Sequence, residues 1–185
     1  MHRVDDRRIG NCLTPHITGM SKKQEAKYSA SSVQEEYRLL RAAINTELSP
    51  RSWQGNYRLP AAGRISTRYG TQRYRNGKKV DRHKGIDIAA ASGTLVLAAN
   101  AGTVALVRKF GMHGNTVVIN HGGGVVGIYL HLRDFGVAEG QTVKAGEKIG
   151  RVGATGAATG PHLHYALYVH GVAIDPMCWQ HLPAW

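Results

Sequence analysis

Between residues 32 and 48, SVQEEYRLLRAAINTEL, apolar side chains return every three to four positions: Val33, Tyr37, Leu40, Ile44 and Leu48. That spacing places them along one face of a helix. Ser32 followed by Glu35 reads as a capping box, and Pro50 follows the end. One amphipathic helix must bury its stripe, so it is expected to lie on the domain that follows or to be the remnant of a longer helical region. From about residue 57 the period changes. Short runs of Val, Ile, Leu and Tyr are separated by glycines, and strands are expected at 64–69, 86–90, 94–98, 102–109, 115–120, 125–132, 147–152 and 162–170. Many short strands with frequent turn signals indicate an all-β sandwich or barrel-like domain. Residues 1–30 are polar and aperiodic and read as a flexible lead-in. The chain therefore divides into a lead-in with an amphipathic helix, 1–56, and a β-rich domain, 57–185.

Composition changes this picture only in part. Apolar residues make up 42% of the 185, enough for a real core. No uninterrupted apolar run is long enough to cross a bilayer. The first twenty residues lack the apolar middle of a secretory leader, so no signal peptide is visible in this chain. The two cysteines, Cys12 and Cys178, lie at opposite ends and form neither a disulfide framework nor a zinc-knuckle spacing. They read as incidental thiols, and a metal would have to be held by His and carboxylates. The net charge of +12 suits polyanionic partners, or simply a solubilising surface. Eight basic residues, Arg64, Arg68, Arg73, Arg75, Lys78, Lys79, Arg82 and Lys84, stand against the single acid Asp81 between 64 and 84. They carry no recognisable reader motif, so nucleic acid is not an expected partner. GRVGATGAATG lacks the Lys-Ser/Thr ending of a phosphate loop.

Three segments carry the chemistry. HKGID holds His83 and Asp87, IYLHL holds His131, and PHLHY holds His162 and His164. In a strand, residues two apart share a face, so His162, His164 and Ala166 point one way and Leu163, Tyr165 and Leu167 the other. The same alternation sets Tyr129 and His131 against Leu130 and Leu132. Full extension would hold residues 83 and 87 about 13 Å apart, and Gly85 is expected to let the chain bend so that the two meet. A catalytic zinc takes three nitrogen or oxygen ligands and keeps one position open. Five candidates exceed three ligands, so two histidines remain for proton transfer and charge stabilisation; spacing alone does not say which two. His2, His16, His113, His121, His170 and His181 read as structural or solvated.

The segments HKGIDIAA, GNTVVINHG, YLHL and TGPHLHY, in that order, resemble the lysostaphin/LytM-type zinc metallopeptidases of peptidoglycan. AANAGTVALV and GEKIGRVGATG belong to the same likeness, which spans about residues 57–178. The resemblance implies an all-β catalytic domain, an antiparallel sheet core with a loop-bounded groove, here preceded by one N-terminal helix. It implies Zn2+ as the cofactor with no small-molecule cofactor, His83, Asp87 and His164 as metal ligands, and His131 and His162 as the unligated catalytic histidines. The stretch 69–82 becomes a groove loop and its Tyr74 a substrate contact. The implied function is hydrolysis of peptide bonds in the stem or cross-bridge of bacterial peptidoglycan, in the cell envelope. The alternative on the same fold is a non-catalytic or autoinhibited wall-binding or amidase-activating protein. Because all five positions are filled, the catalytic reading is preferred. Oligomeric state is not readable.

Overall fold

The structure is a computed structural model and describes residues 17–19, 30–45, 49–75 and 78–181. In chain order the elements are β1 (Ile17–Gly19), α1 (Ala30–Ile44), β2 (Arg64–Thr67), β3 (Gln72–Arg75), β4 (Lys78–Arg82), β5 (Ile86–Ala89), β6 (Leu95–Leu97) and β7 (Gly102–Lys109). There follow β8 (Asn115–Gly122), β9 (Val125–Phe135), β10 (Thr142–Val143), β11 (Lys148–Val152), β12 (His162–Val169), β13 (Val172–Ile174) and a 3-10 helix, Pro176–His181. The expected all-β architecture with one preceding helix is what the chain forms.

Ten strands make one sheet whose main path is β10-β7-β8-β9-β12-β5-β2, with β11 paired to β6 and β9 and β13 to β12. All of these pairings are antiparallel. The central strands β8, β9 and β12 are almost wholly buried because both faces are covered. On one face Ile86, Ile88, Tyr129, Leu132, Leu163, Tyr165 and Leu167 build the larger core. On the other, Leu106, Val118, Val126, Ile128, Leu130 and Ala166 receive Leu40 and Ala43 of α1. Fully burying a leucine contributes about 2 kcal/mol, so this contact, rather than helix propensity, holds α1 in place.

The helix docks on the domain that follows with Leu40 and Ile44 of the expected stripe against the core, but the buried face is rotated from that stripe. Glu36, Leu40 and Ala43 are buried, whereas Tyr37 is 51% exposed. Ser32 lies inside the helix rather than at its start, and Glu35 pairs with Arg38 at 2.7 Å. Leu48 lies outside the described residues.

Three other expectations change. Part of the aperiodic lead-in forms β1, which pairs in parallel with β3. The groove loop 69–82 contains a hairpin, β3 against β4. Charged residues hid its strands, although Asn76-Gly77 between them is a strong hairpin signal. Cys178 is disulfide-bonded rather than an incidental thiol; Cys12 lies outside the described residues.

Candidate metal and catalytic site

Three neighbouring strands build the site. His164 on β12 lies directly opposite Asp87 on β5 and, on its other side, opposite Leu130 on β9. Asp87 and His164 are thus cross-strand partners, which fixes their proximity through backbone register. His83 joins them from the segment between β4 and β5, held by its amide on the Thr71 carbonyl at 2.8 Å and by its carbonyl on the Gly70 amide at 2.8 Å. His83 and Asp87 meet as expected, with Nε2 3.1 Å from Oδ1. Gly85 assists through close approach rather than through a left-handed turn. A Cβ there would stand 2.4 Å from the Tyr165 carbonyl oxygen and 3.0 Å from His164 Nε2.

The donor atoms form a small triangle. His83 Nε2 is 2.9 Å from His164 Nδ1, and His164 Nδ1 is 2.9 Å from Asp87 Oδ1. Ligands around a tetrahedral zinc at ~2.1 Å stand about 3.4 Å from one another. Outward movements of a few tenths of an ångström therefore suffice for the triangle to take such an ion. His83 Nδ1 is 3.0 Å from the Arg68 carbonyl, to which it donates, and this turns the Nε2 lone pair toward the other two donors. Among the described residues, these three form the only group of His, Cys, Asp or Glu placed to hold a metal.

Burial opposes the Asp87 charge, but the hydrogen bond from His164 and the His83 imidazole beside Oδ1 outweigh it and hold the carboxyl far below the ordinary carboxylate range. His164 is pushed down to about 4, mainly by burial, with Asp87 pulling the other way. At neutral pH the group therefore presents one carboxylate and a neutral His164 imidazole, the protonation states in which these residues bind a metal.

His131 and His162 flank the triangle. Their ring centroids are 4.8 Å apart, and His162 Nε2 lies 4.0 Å from Asp87 Oδ1. Each donates Nδ1–H to a backbone carbonyl, His131 to Thr155 at 2.8 Å and His162 to Gly160 at 2.9 Å. In the neutral ring each then carries its lone pair on Nε2. Burial, followed by His164 and His162, lowers His131 to about 3.

The alternation expected around His131 does not hold. Between the pairs Val117–Tyr129 and Asn115–Leu132, β9 carries one more residue than β8. His131 sits in this bulge with φ 64°, a left-handed conformation costing about 1–2 kcal/mol for a residue with a Cβ. The extra residue reverses the faces beyond it. Leu132 joins Tyr129 in the larger core, whereas Leu130 lies under the helix. His131 is thereby aimed at the cluster by an irregularity rather than by regular pleating.

The structure brings together all five sequence-predicted residues, His83, Asp87, His131, His162 and His164. Tyr74 stands on β3, half-buried, and shares no hydrogen bond or ring contact with the five among the described residues. Sequence reasoning missed the supports: Thr155, whose carbonyl holds His131, and Gly114 and Gly156, which let its loop nest against residues 112–114. A Cβ on Gly156 would lie 2.4 Å from the Gly114 amide nitrogen, and one on Gly114 would lie 2.5 Å from the Thr155 carbonyl oxygen. The glycines of GATGAATG were visible as a run, but their partners were not.

Comparisons with known proteins agree with this geometry. Over 122 residues the chain is 40% identical to the peptidoglycan DD-endopeptidase ShyA of Vibrio cholerae, covering 65% of this chain and 28% of that protein. A structure described as a peptidase M23 from Pseudomonas aeruginosa superposes with a TM-score of 0.71 at 29% identity, over 84% of this chain and 64% of that one. A zinc-containing peptidase from Vibrio cholerae gives 0.62 at 33% identity, over 73% and 41%. The chain spans about a quarter of the length of the curated relatives it matches. The profile of Peptidase family M23 matches residues 81–176, which take in the whole constellation and more than half of the sequence. The chain belongs to Peptidase family M23.

Proposed function

We propose that this chain is a zinc-dependent endopeptidase that hydrolyses peptide bonds in the stem or cross-bridge peptides of bacterial peptidoglycan. The observation that carries this reading is the donor triangle of His83, Asp87 and His164, flanked by two histidines whose Nδ1 atoms are committed to backbone carbonyls. His83 Nε2, Asp87 Oδ1 and His164 Nδ1 would hold the zinc. When bound, zinc lowers the pKa of a coordinated water to about 7 and polarises the scissile carbonyl. The buried walls around His131 and His164 exclude bulk water and strengthen the electrostatics of the cleft. His131 and His162, each with Nδ1–H committed to a carbonyl, present Nε2 to accept a proton from attacking water and return it to the departing amine. The imidazolium formed in that exchange also balances negative charge on the scissile oxygen.

The family membership and the peptidoglycan DD-endopeptidase named in Vibrio cholerae support peptidoglycan as the substrate, and hence the cell envelope as the site of action. No helix among the described residues is long and apolar enough to cross a membrane. On this reading residues 57–185 are the peptidase domain and 1–56 a preceding segment that docks on it through α1. Tyr74, on the hairpin beside His83, is proposed to contact substrate. The test is metal analysis of the purified protein together with digestion of purified peptidoglycan and identification of the new amine ends. About one zinc per chain and new amines that vanish in Asp87→Asn support the proposal; intact peptidoglycan with zinc bound would overturn it.

A further inference from the structure

His131 depends on two restraints to keep its left-handed backbone. One is the side-chain bond to Thr155. The other is its own amide, which donates to the His113 carbonyl at 3.2 Å. Residues 112–113 are held from outside the sheet. Glu36 of α1, 5% exposed, accepts hydrogen bonds from the Met112 amide at 3.0 Å, the His113 amide at 3.2 Å and His113 Nδ1 at 2.7 Å. Tyr37 covers the His113 ring edge-on, with centroids 5.2 Å apart. The Met112 carbonyl in turn receives the Ala157 amide at 2.8 Å, two residues beyond Thr155. The amide support of His131 thus rests directly on a segment tied to one carboxylate; the Thr155 support touches that segment through Ala157 and is also fixed by its own hydroxyl, which donates to the Leu132 carbonyl at 2.8 Å and accepts from the Asn115 amide at 2.9 Å.

We infer that Glu36, which lies outside the residues matching the family, is a positioning residue for His131, acting through the peptide and ring of His113. The bland alternative is that Glu36 only fastens the helix. Leu40 and Ala43 already do so through apolar contact, and a buried carboxylate is a costly fastener where an apolar side chain would serve. Its three donors all belong to the segment behind His131 and none to the sheet. Burial pushes the Glu36 carboxyl up, but the Met112 and His113 hydrogen bonds outweigh this and keep it below its ordinary value. Burial lowers His113, so at neutral pH it is a neutral donor to a charged acceptor.

This inference rests on the proposed catalytic role of His131, so the experiment reads the two apart. Full-length Glu36→Ala, the near-isosteric Glu36→Gln and Leu40→Ala are compared for kcat, KM and zinc content. The Nδ1–H proton of His131, assigned by its loss in His131→Ala, is followed by NMR in zinc-free protein. Displacement of a reacting group by about 1 Å can lower a rate on the order of 10²-fold. Expected for E36A is a 10- to 100-fold loss in kcat, with KM within about twofold, zinc unchanged and the His131 proton shifted or exchange-broadened. E36Q, keeping one acceptor oxygen, falls between. L40A melts earlier, yet keeps kcat and the His131 signal well below its melting point. Wild-type kcat and an unmoved His131 proton in both Glu36 variants overturn the inference. Full activity in H131A would instead remove the catalytic assignment, leaving the NMR signal to judge the clamp.

Discussion

Two buried histidine sites occupy different parts of the sheet, and they differ less than their roles suggest. At the cluster, His164 is buried, neutral and lowered to about 4. At the end of β8, His121 is fully buried, donates Nδ1–H to the Ala101 carbonyl at 2.8 Å and is likewise lowered to about 4 by burial. The surroundings differ. Tyr57 meets His121 edge-on at 5.2 Å and continues into Trp53 and Trp179, and His121 Nε2 has no hydrogen-bond partner among the described residues. His164 faces a carboxylate and a second imidazole at 2.9 Å. Burial and a fixed tautomer are therefore common to core and site. Only the gathering of two ring nitrogens beside one carboxylate makes a place for a cation.

The strongest way to break this comparison is to remove that acid. Asp87→Asn is expected to lose zinc, by metal analysis, and to lower peptidoglycan hydrolysis by about 10⁴-fold or more, while His121→Gln keeps both. Next come the flanking histidines. His131→Ala and His162→Ala should each retain zinc and lose roughly 10²- to 10⁴-fold in kcat. Zinc loss in either would move that residue into the ligand set.

Metal should also stabilise one site and not the other. Zinc at 1,000 times its dissociation constant adds about 4 kcal/mol to wild-type stability, read as an upward shift of the urea midpoint. The shift should persist in H121Q and vanish in D87N.

A smaller effect concerns acid. Above pH 6.5 His121 is neutral folded and unfolded and contributes nothing to pH dependence. Between 6.5 and about 4 the unfolded chain takes up a proton that the folded chain refuses, so stability falls by about 1.4 kcal/mol per pH unit. The loss approaches ~3 kcal/mol at pH 4. In zinc-free protein His131 and His164 act in the same direction, and H121Q should flatten the urea-midpoint profile by one histidine's share. An unchanged profile would show that His121 is accessible to protons.

The legible parts of the fold and site share a cause. The strands now numbered β7, β8, β9 and β12 announced themselves because a half- or fully buried strand needs Val, Ile, Leu or Tyr at fixed intervals, and the H-x-H and H-x-x-x-D spacings survive folding as local geometry. The features that were not legible depend on partners far away in the chain. Glu36 counts as polar in any periodic reading of α1, yet it is buried because residues 112 and 113 supply donors. The bulge at His131 follows from a one-residue mismatch with β8, which no pattern within IYLHL displays. Hairpin β3–β4 is built from charged residues, so hydrophobic alternation could not find it.

The nested glycines carry an evolutionary consequence. With Gly114 and Gly156 interlocked at distances no Cβ could tolerate, the flank of the cleft beneath His131 can accept neither an insertion nor a bulkier residue without releasing that imidazole. The β3–β4 flank is a hairpin in a small separate sheet rather than part of the main one. Descendants of this chain that acquire a taste for new cross-bridges are therefore expected to change between residues 72 and 81, beyond the Gly70 and Thr71 backbone groups that hold His83, while 112–114 and 153–157 stand still.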